Sequence, residues 1–342
     1  MLAKQFTNEH LSKERSPFSC HLERSVSESK GLAQAQTNYS KTDIKGDSMF
    51  KLGIDLGGTK IEGVVLDDQN QQRFRERIAT EQEGGYDHIL HNINKLYRKM
   101  VAGSNGKPHT FGIGTPGALS PKTGLLRNSN TQCLNGRPLK TDLEKVLQRP
   151  VAIQNDANCF AMAEAIRGAG AGYDLVFGVI MGTGCGGGIV FKQKVLTGRH
   201  AIAGEWGHTS IDPNGPQCWC GNRGCVETFI SGSGLEKQFQ QKQGVHKSFK
   251  ELTTLYEQKD PTAVAFMESF FHNFGRAMAN LINVLDPDIV VLGGGLSNFA
   301  ALYRKGVEQI GGLLFCDCFE TPVVKNQLGD SAGVIGAALI GI

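Results

Sequence analysis

From residue 49 onward, short apolar runs alternate with longer stretches whose apolar residues recur every three or four positions, a pattern of strands interleaved with helices. Apolar runs at 52–55, 61–66, 110–114, 151–154, 175–181, 188–191 and 289–292 predict strands, and the periodic stretches 85–101, 157–168 and 261–284 predict helices. Such alternation points to α/β architecture. The first two strands are joined by Gly57-Gly58-Thr59 and read as a hairpin at the front of a domain. Between 199 and 228 no period is sustained, and no solenoid repeat is visible. Residues 1–48 are rich in Ser, Lys, Glu and Gln and hold neither period, which predicts disorder. They offer no pair of amphipathic helices of the kind a helix-turn-helix DNA reader needs. Because Met49 stands directly before the first strand, it reads as the natural start and 1–48 as a spurious extension.

Composition narrows the function classes. With 342 residues the chain is long enough for two domains, and a net charge of +3 gives no field that would steer nucleic acid or a membrane surface. No apolar run approaches the roughly 18 residues of a membrane span. No secretory leader pattern opens the sequence, so the protein reads as cytoplasmic. In that compartment nine cysteines, an odd number, do not suggest a disulfide framework. Cys20, Cys133, Cys159 and Cys185 stand alone and read as buried thiols, while Cys316-Asp317-Cys318 lacks further ligands nearby. His208, Cys218, Cys220 and Cys225 are different, because one imidazole and three thiols in a short aperiodic stretch are the set a tetrahedral zinc ion takes. Four protein ligands close the coordination sphere, which makes the expected zinc structural. Two carboxylates, Glu205 and Glu227, bracket the cluster.

Three glycine loops add the next layer. Gly53-Ile54-Asp55-Leu56-Gly57-Gly58-Thr59-Lys60 places a carboxylate at a strand end, two glycines whose N–H groups can approach an anion, and a cation. On these residues alone a plain turn with a capping acid is an equal reading. Gly182-Thr183-Gly184-Cys185-Gly186-Gly187-Gly188 again follows an apolar strand, and so many glycines cost backbone entropy that a connector would not require. The third loop, Gly293-Gly294-Gly295, leaves bare backbone that would admit a flat ring. Neither P-loop nor dinucleotide-binding spacing fits any of them. Together they predict a nucleotide held between two lobes.

These loops, with the block from Gly204-Glu205-Trp206-Gly207-His208 to Cys218-Trp219-Cys220-Gly221-Asn222-Arg223-Gly224-Cys225, resemble the ROK family from about residue 49 to the C-terminus. That family is one of mostly bacterial ATP-dependent sugar kinases with some sugar-responsive repressors. The resemblance implies the actin-like ATPase (ribonuclease H-like) fold, with the first two loops on the ATP phosphates and the third against the adenosine. By the same resemblance Asp156, in Asn155-Asp156-Ala157-Asn158, is the catalytic base, although the residues alone favour a helix N-cap. Asp55 would orient Mg²⁺ beside the phosphates. Glu205, Glu227 and zinc-bound His208 would touch the sugar; unaided, the glutamates read equally as solvated loop charges. Gly117, Ala118 and Asn130 occupy stretches that line the family's sugar pocket, and Asn155 adjoins the base; their plain reading is a Gly-Pro turn and polar loops.

Residues 126–136 and 227–234 look closest to bacterial fructokinases and mannokinases, while 209–217 is shorter than in that pattern. The expected reaction is therefore ATP plus hexose giving ADP plus hexose 6-phosphate, with fructose or mannose favoured. N-acetylglucosamine or glucose phosphorylation is the alternative, and a sugar-responsive repressor is the alternative of another class. Expected lobes are 49–151, joined by a returning terminal helix at 331–342, and 152–330 with its zinc loop at 204–228. Partners would be the hexose and ATP, without nucleic acid or membrane, and similar kinases imply a homodimer.

Overall fold

In the computed structural model residues 49–342 are described, so the readings of 1–48 as disordered or spurious and of Cys20 as a buried thiol fall outside the described residues. The chain opens with an antiparallel meander of β1 (Phe50–Leu56), β2 (Lys60–Leu66) and β3 (Gln72–Ala79). Helix α1 (Gly85–Gly103) then crosses to β4 (His109–Thr115), which runs parallel to β1. A small hairpin of β5 (Ala118–Leu119) and β6 (Leu126–Arg127) follows, and helix α2 (Leu139–Leu147) leads to β7 (Ala152–Asn155), parallel to β4. The sheet order is β3-β2-β1-β4-β7.

After helix α3 (Asp156–Arg167) the topology repeats. Strands β8 (Leu175–Met181), β9 (Cys185–Phe191) and β10 (Lys194–Val195) form a second antiparallel meander. Helices α4 (Val226–Ile230), α5 (Gly232–Gln243), α6 (Phe249–Glu257) and α7 (Pro261–Leu285) come next. They lead to β11 (Ile289–Gly293), α8 (Val307–Gly311), β12 (Val323–Lys325) and α9 (Ala332–Leu339). The second sheet reads β10-β9-β8-β11-β12, with the same order and strand directions as the first. The chain is thus an internal duplication, invisible in sequence because the halves share a topology and not a residue pattern.

Each half lends a helix to the other. Helix α3 lies across β8 and β9 so closely that a Cβ on Gly178 would stand 2.8 Å from the Ala161 Cα, and one on Gly188 2.6 Å from the Ala157 carbonyl oxygen. Helix α9 lies on β1 and β4 in the same manner: a Cβ on Gly53 would meet the Ala338 nitrogen at 2.2 Å, and one on Gly112 the Ala337 oxygen at 2.1 Å. Where the two helices meet, a Cβ on Gly336 would be 1.7 Å from the Cys159 oxygen. Only hydrogen fits at these crossings. The consequence for function is positional, since the N-terminus of α3 falls at the junction of the two sheets. The expected division at 151/152 lies just ahead of β7, whose residues are paired with β4, so the chain leaves the first sheet at Asn155.

Helix ends follow local chemistry. Asp260 caps α7 by accepting the Ala263 N–H at 2.8 Å, Pro261 fills its first turn, and Asp286 ends it in the left-handed conformation ahead of Pro287. Its phenylalanines Phe266, Phe270, Phe271 and Phe274 dominate the core of the second half. Strand β3 was not apparent from the sequence, because Arg73, Arg75, Glu76 and Arg77 load an edge strand with charge. Among the described residues no helix is long and apolar enough to cross a membrane.

Candidate active site

Asp156 opens α3, and its neighbour does the capping: the Asn155 side-chain oxygen accepts the Asn158 N–H at 2.8 Å. That frees the Asp156 carboxylate, which accepts the Ala157 N–H at 2.8 Å. Solvent reaches it through the cleft, yet protein surrounds it on the remaining sides, and this desolvation raises its pKa above the ordinary aspartate value. Asp55, at the end of β1, is pushed up to about 6, first by burial and then by the charges of Asp156 and Glu62; Lys60 and Arg77 oppose the shift. The two acids therefore titrate as interacting groups in one cleft.

That cleft has a volume of about 520 Å³, and its walls include Asp55, Asp156, Gly294, Gly295, Lys325 and Asp330. Gly294 has φ +80°, and a Cβ there would stand 2.4 Å from the Met181 oxygen, so the turn requires glycine. At Gly295 an added Cβ would meet nothing within 4 Å. Lys325 and Asp330 were not singled out from the sequence, since a lone charge in the C-terminal segment carries no signal until the fold brings it to the cleft.

The expected phosphate-binding residues divide into two groups. Gly57, Gly58, Thr59 and Lys60 form the open β1–β2 turn, closed by the Gly57 N–H donating to the Lys60 oxygen at 2.9 Å. Gly182, Thr183 and Gly184 form the open β8–β9 turn, where the Gly182 N–H donates to the Gly184 oxygen at 2.9 Å. The others serve packing. Gly53 lies under α9 and Leu56 is in the core, only 1% exposed. Cys185 through Gly188 are already strand β9 and not loop. Gly186 sits beside Ala157; Gly187 is glycine because a Cβ would reach Phe177 and Trp206 at 2.7 Å, and Gly188 because of α3. Gly293 is likewise packed, with the Phe160 ring 2.5 Å from where a Cβ would be. Much of the glycine richness is thus helix-on-sheet contact.

Glu227, His208 and Asp156 all lie within electrostatic reach of Glu205. Glu205 has its pKa raised by burial above all, with the negative charges of Asp156 and Glu227 adding to the shift and His208 and Arg127 opposing it. These groups share one electrostatic neighbourhood. Glu227 lies in the first turn of α4 and is held at both oxygens: Oε2 accepts the Cys185 N–H at 2.9 Å, and Oε1 accepts the Trp219 indole N–H at 2.6 Å. Trp219 also meets the His208 ring edge to face, with centroids 5.0 Å apart. It joins Asn128, Asn130 and Gln132 around a pocket of about 720 Å³. Trp219 escaped the sequence reading, although its place between two ligand cysteines was the available clue. Gly117, with φ +85°, is glycine because a Cβ would stand 2.3 Å from the Arg127 oxygen, and Ala118 pairs with Arg127 in the β5–β6 hairpin. Neither lines that pocket; both pack against Arg127, which does.

The cysteine cluster fits a zinc ion. The ligand atoms of His208, Cys218, Cys220 and Cys225 all lie within 4.8 Å of one another. A tetrahedral ion with bonds of about 2.3 Å to sulfur and about 2.0 Å to nitrogen would set its ligands roughly 3.5–3.8 Å apart. Here the Cys220 and Cys225 sulfurs are 3.6 Å apart, and Cys218 Sγ is 3.7 Å from His208 Nδ1. Nδ1 is the nitrogen turned to the cluster, which leaves Nε2 for another partner. Cys133 is half-buried, Cys159 and Cys185 are buried, and Cys316 and Cys318 are exposed and outside the cluster.

Two sheets of one topology, each capped by the other's helix and with acids at their junction, define an actin-like ATPase fold. The chain matches the ROK family over residues 51–341 and belongs to it. It is 38% identical over 302 residues to an N-acetyl-D-glucosamine kinase of Pasteurella multocida, covering 85% of this chain and 99% of that protein. The ROK hexokinase of Thermus thermophilus superposes with a TM-score of 0.79 at 31% identity, over 86% of this chain and 98% of that one. A ROK glucokinase of Streptomyces griseus, solved with glucose and AMPPNP, gives 0.67 at 30% identity, over 85% and 99% of the two chains.

Proposed function

We propose that this protein is a sugar kinase that transfers the γ-phosphoryl group of ATP to the 6-hydroxyl of N-acetyl-D-glucosamine. The observation that carries the reaction type is the placement of Asp156, open to a cleft it shares with Asp55, Gly294 and Gly295 and within electrostatic reach of Glu205, which also feels Glu227. The similarity to the N-acetyl-D-glucosamine kinase of Pasteurella multocida supports the sugar, and the glucokinase solved with AMPPNP supports the nucleotide. The favoured expectation of fructose or mannose gives way to the N-acetylglucosamine alternative, because the similar kinases act on that sugar by their names. Local likeness in 126–136 and 227–234 reported pocket segments, whereas identity over the whole chain weighs every wall.

In this reading the nucleotide lies along the cleft, its phosphates at the Gly57–Lys60 and Gly182–Gly184 turns. Asp55, whose proton affinity is raised by the neighbouring charge of Asp156, and Asp156 itself are residues a divalent cation would suit; Mg²⁺ arriving with ATP would offset the phosphate charge. The two glutamates accept hydrogen bonds from sugar hydroxyls, and Trp219 and Cys185 hold Glu227 in orientation. Asp156 takes the O6 proton as the new O6–P bond forms and the bond from the γ-phosphorus to ADP breaks. A zinc ion held by His208, Cys218, Cys220 and Cys225 would supply rigidity, fixing the loop between the two glutamates. Incubation with Mg·ATP and N-acetyl-D-glucosamine followed by ³¹P NMR tests the proposal. A phosphomonoester coupled to the C6 protons is the expected signal, and the absence of sugar phosphate with every hexose contradicts it.

A further inference from the structure

A fully buried carboxylate with no part in this chemistry lies in the same helix as the base. Glu164 is 0% exposed, and all its recorded donors are backbone amides. Its Oε2 accepts the Ala169 N–H at 2.9 Å and the Gln327 N–H at 3.1 Å, and its Oε1 accepts the Leu328 N–H at 2.9 Å. The side chain folds so tightly onto the end of α3 that a Cβ on Gly168 would lie 2.0 Å from Oε2. Burying an ionised acid without a cation is costly, and only such full satisfaction of its oxygens makes it tolerable. A neutral connection between helix and loop would need no charge.

The segment it grips is a cleft wall. Lys325, Asn326 and Gln327 line the cavity shared by Asp55, Asp156, Gly294 and Gly295. The Asn326 N–H donates to the Leu292 oxygen at 2.9 Å, which ties the segment to β11 from the other side. Asp156 and Glu164 are about two helical turns apart, so α3 is a strut with the base at one end and the anchor of that wall near the other. We infer that Glu164 is a positioning residue: it fixes the nucleotide-facing segment 325–327 at a set distance from Asp156. The inference rests on the cleft being the nucleotide site.

Replacing Glu164 by Gln keeps the shape but turns an NH₂ toward backbone N–H groups, so at least one charge-assisted bond becomes a donor-donor clash. Calorimetric titration of wild type and E164Q with Mg·ADP and, separately, with N-acetyl-D-glucosamine tests the idea. Mg·ADP affinity should fall about tenfold or more while sugar affinity stays within about twofold, and KM for ATP should rise in parallel. An unchanged Mg·ADP affinity in a variant that merely melts earlier overturns the inference, and so does an equal loss for both ligands. Failure of the wild type to bind Mg·ADP would instead remove the nucleotide assignment, and the inference with it. If E164Q does not fold, hydrogen exchange on the ligand-free wild type decides: slow exchange at the Gln327 and Leu328 amides is expected, and fast exchange there overturns the tether.

Discussion

The Trp219 indole N–H donates to Glu227 Oε1 at 2.6 Å, so the residue between two cysteines of the cluster orients a carboxylate on the next helix. The indole is 69% exposed, which weakens the bond by water competition but leaves its direction intact. Substituting Trp219→Phe keeps a ring against His208 and deletes the donor. Sugar KM should rise by roughly three- to tenfold with KM for ATP unchanged, the scale of one lost bond to a charged acceptor. A matching rise in both constants would show that Trp219 supports the loop as a whole.

Asp55 is predicted to trade stability for function. Its folded pKa of about 6 exceeds its unfolded value, so the folded state binds more protons between about pH 4 and pH 6 and loses stability as pH rises through that window. Above it, the penalty for the ionised form is fully present. Asp55→Asn should therefore raise Tm at pH 8, by an amount corresponding to about 1–3 kcal/mol, leave stability near pH 4 little changed, and abolish most turnover. Thermal melts at the two pH values check it, and a variant less stable at pH 8 would contradict the assignment.

Two glycines of one motif should behave differently. A methyl at Gly188 meets the Ala157 oxygen at 2.6 Å and must push α3, whereas one at Gly182 meets nothing within 4 Å. Gly188→Ala should cost about 1–3 kcal/mol in denaturant unfolding. Gly182→Ala should leave stability within about 0.5 kcal/mol while raising KM for ATP. Similar stability losses in both would mean that the motif is packing throughout.

How far the sequence reached depends on which residues are asked. The four residues that would hold zinc lay in one short segment, where type and spacing alone point to a metal site. Asp156 and Asp55 needed the family resemblance, because an acid at a strand end looks the same whether it caps or catalyses. Gly187 and Gly188, expected at the phosphates, and Gly293, expected against the adenosine, are instead packed against side chains and helix α3: close approach to protein and close approach to a ligand both demand glycine, and only the packed neighbours distinguish them. Glu164 and Lys325 were silent, since their partners come from distant parts of the chain.

Zinc removal should separate the two ligands. If the ion fixes the loop between Glu205 and Glu227, chelation or Cys225→Ser should weaken N-acetyl-D-glucosamine binding by at least about tenfold and Mg·ADP binding far less. Metal analysis should return close to one zinc per chain. Equal loss of both affinities would assign the metal to global stability.

The central claim is the pairing of this cleft with one sugar, and its most direct test is kcat/KM measured by coupled ADP release for N-acetyl-D-glucosamine, glucose, mannose and fructose. The account predicts N-acetyl-D-glucosamine as the best substrate, by about tenfold or more over each of the others. Fructose or mannose at the head of the series, or no turnover with any of the four, would contradict it.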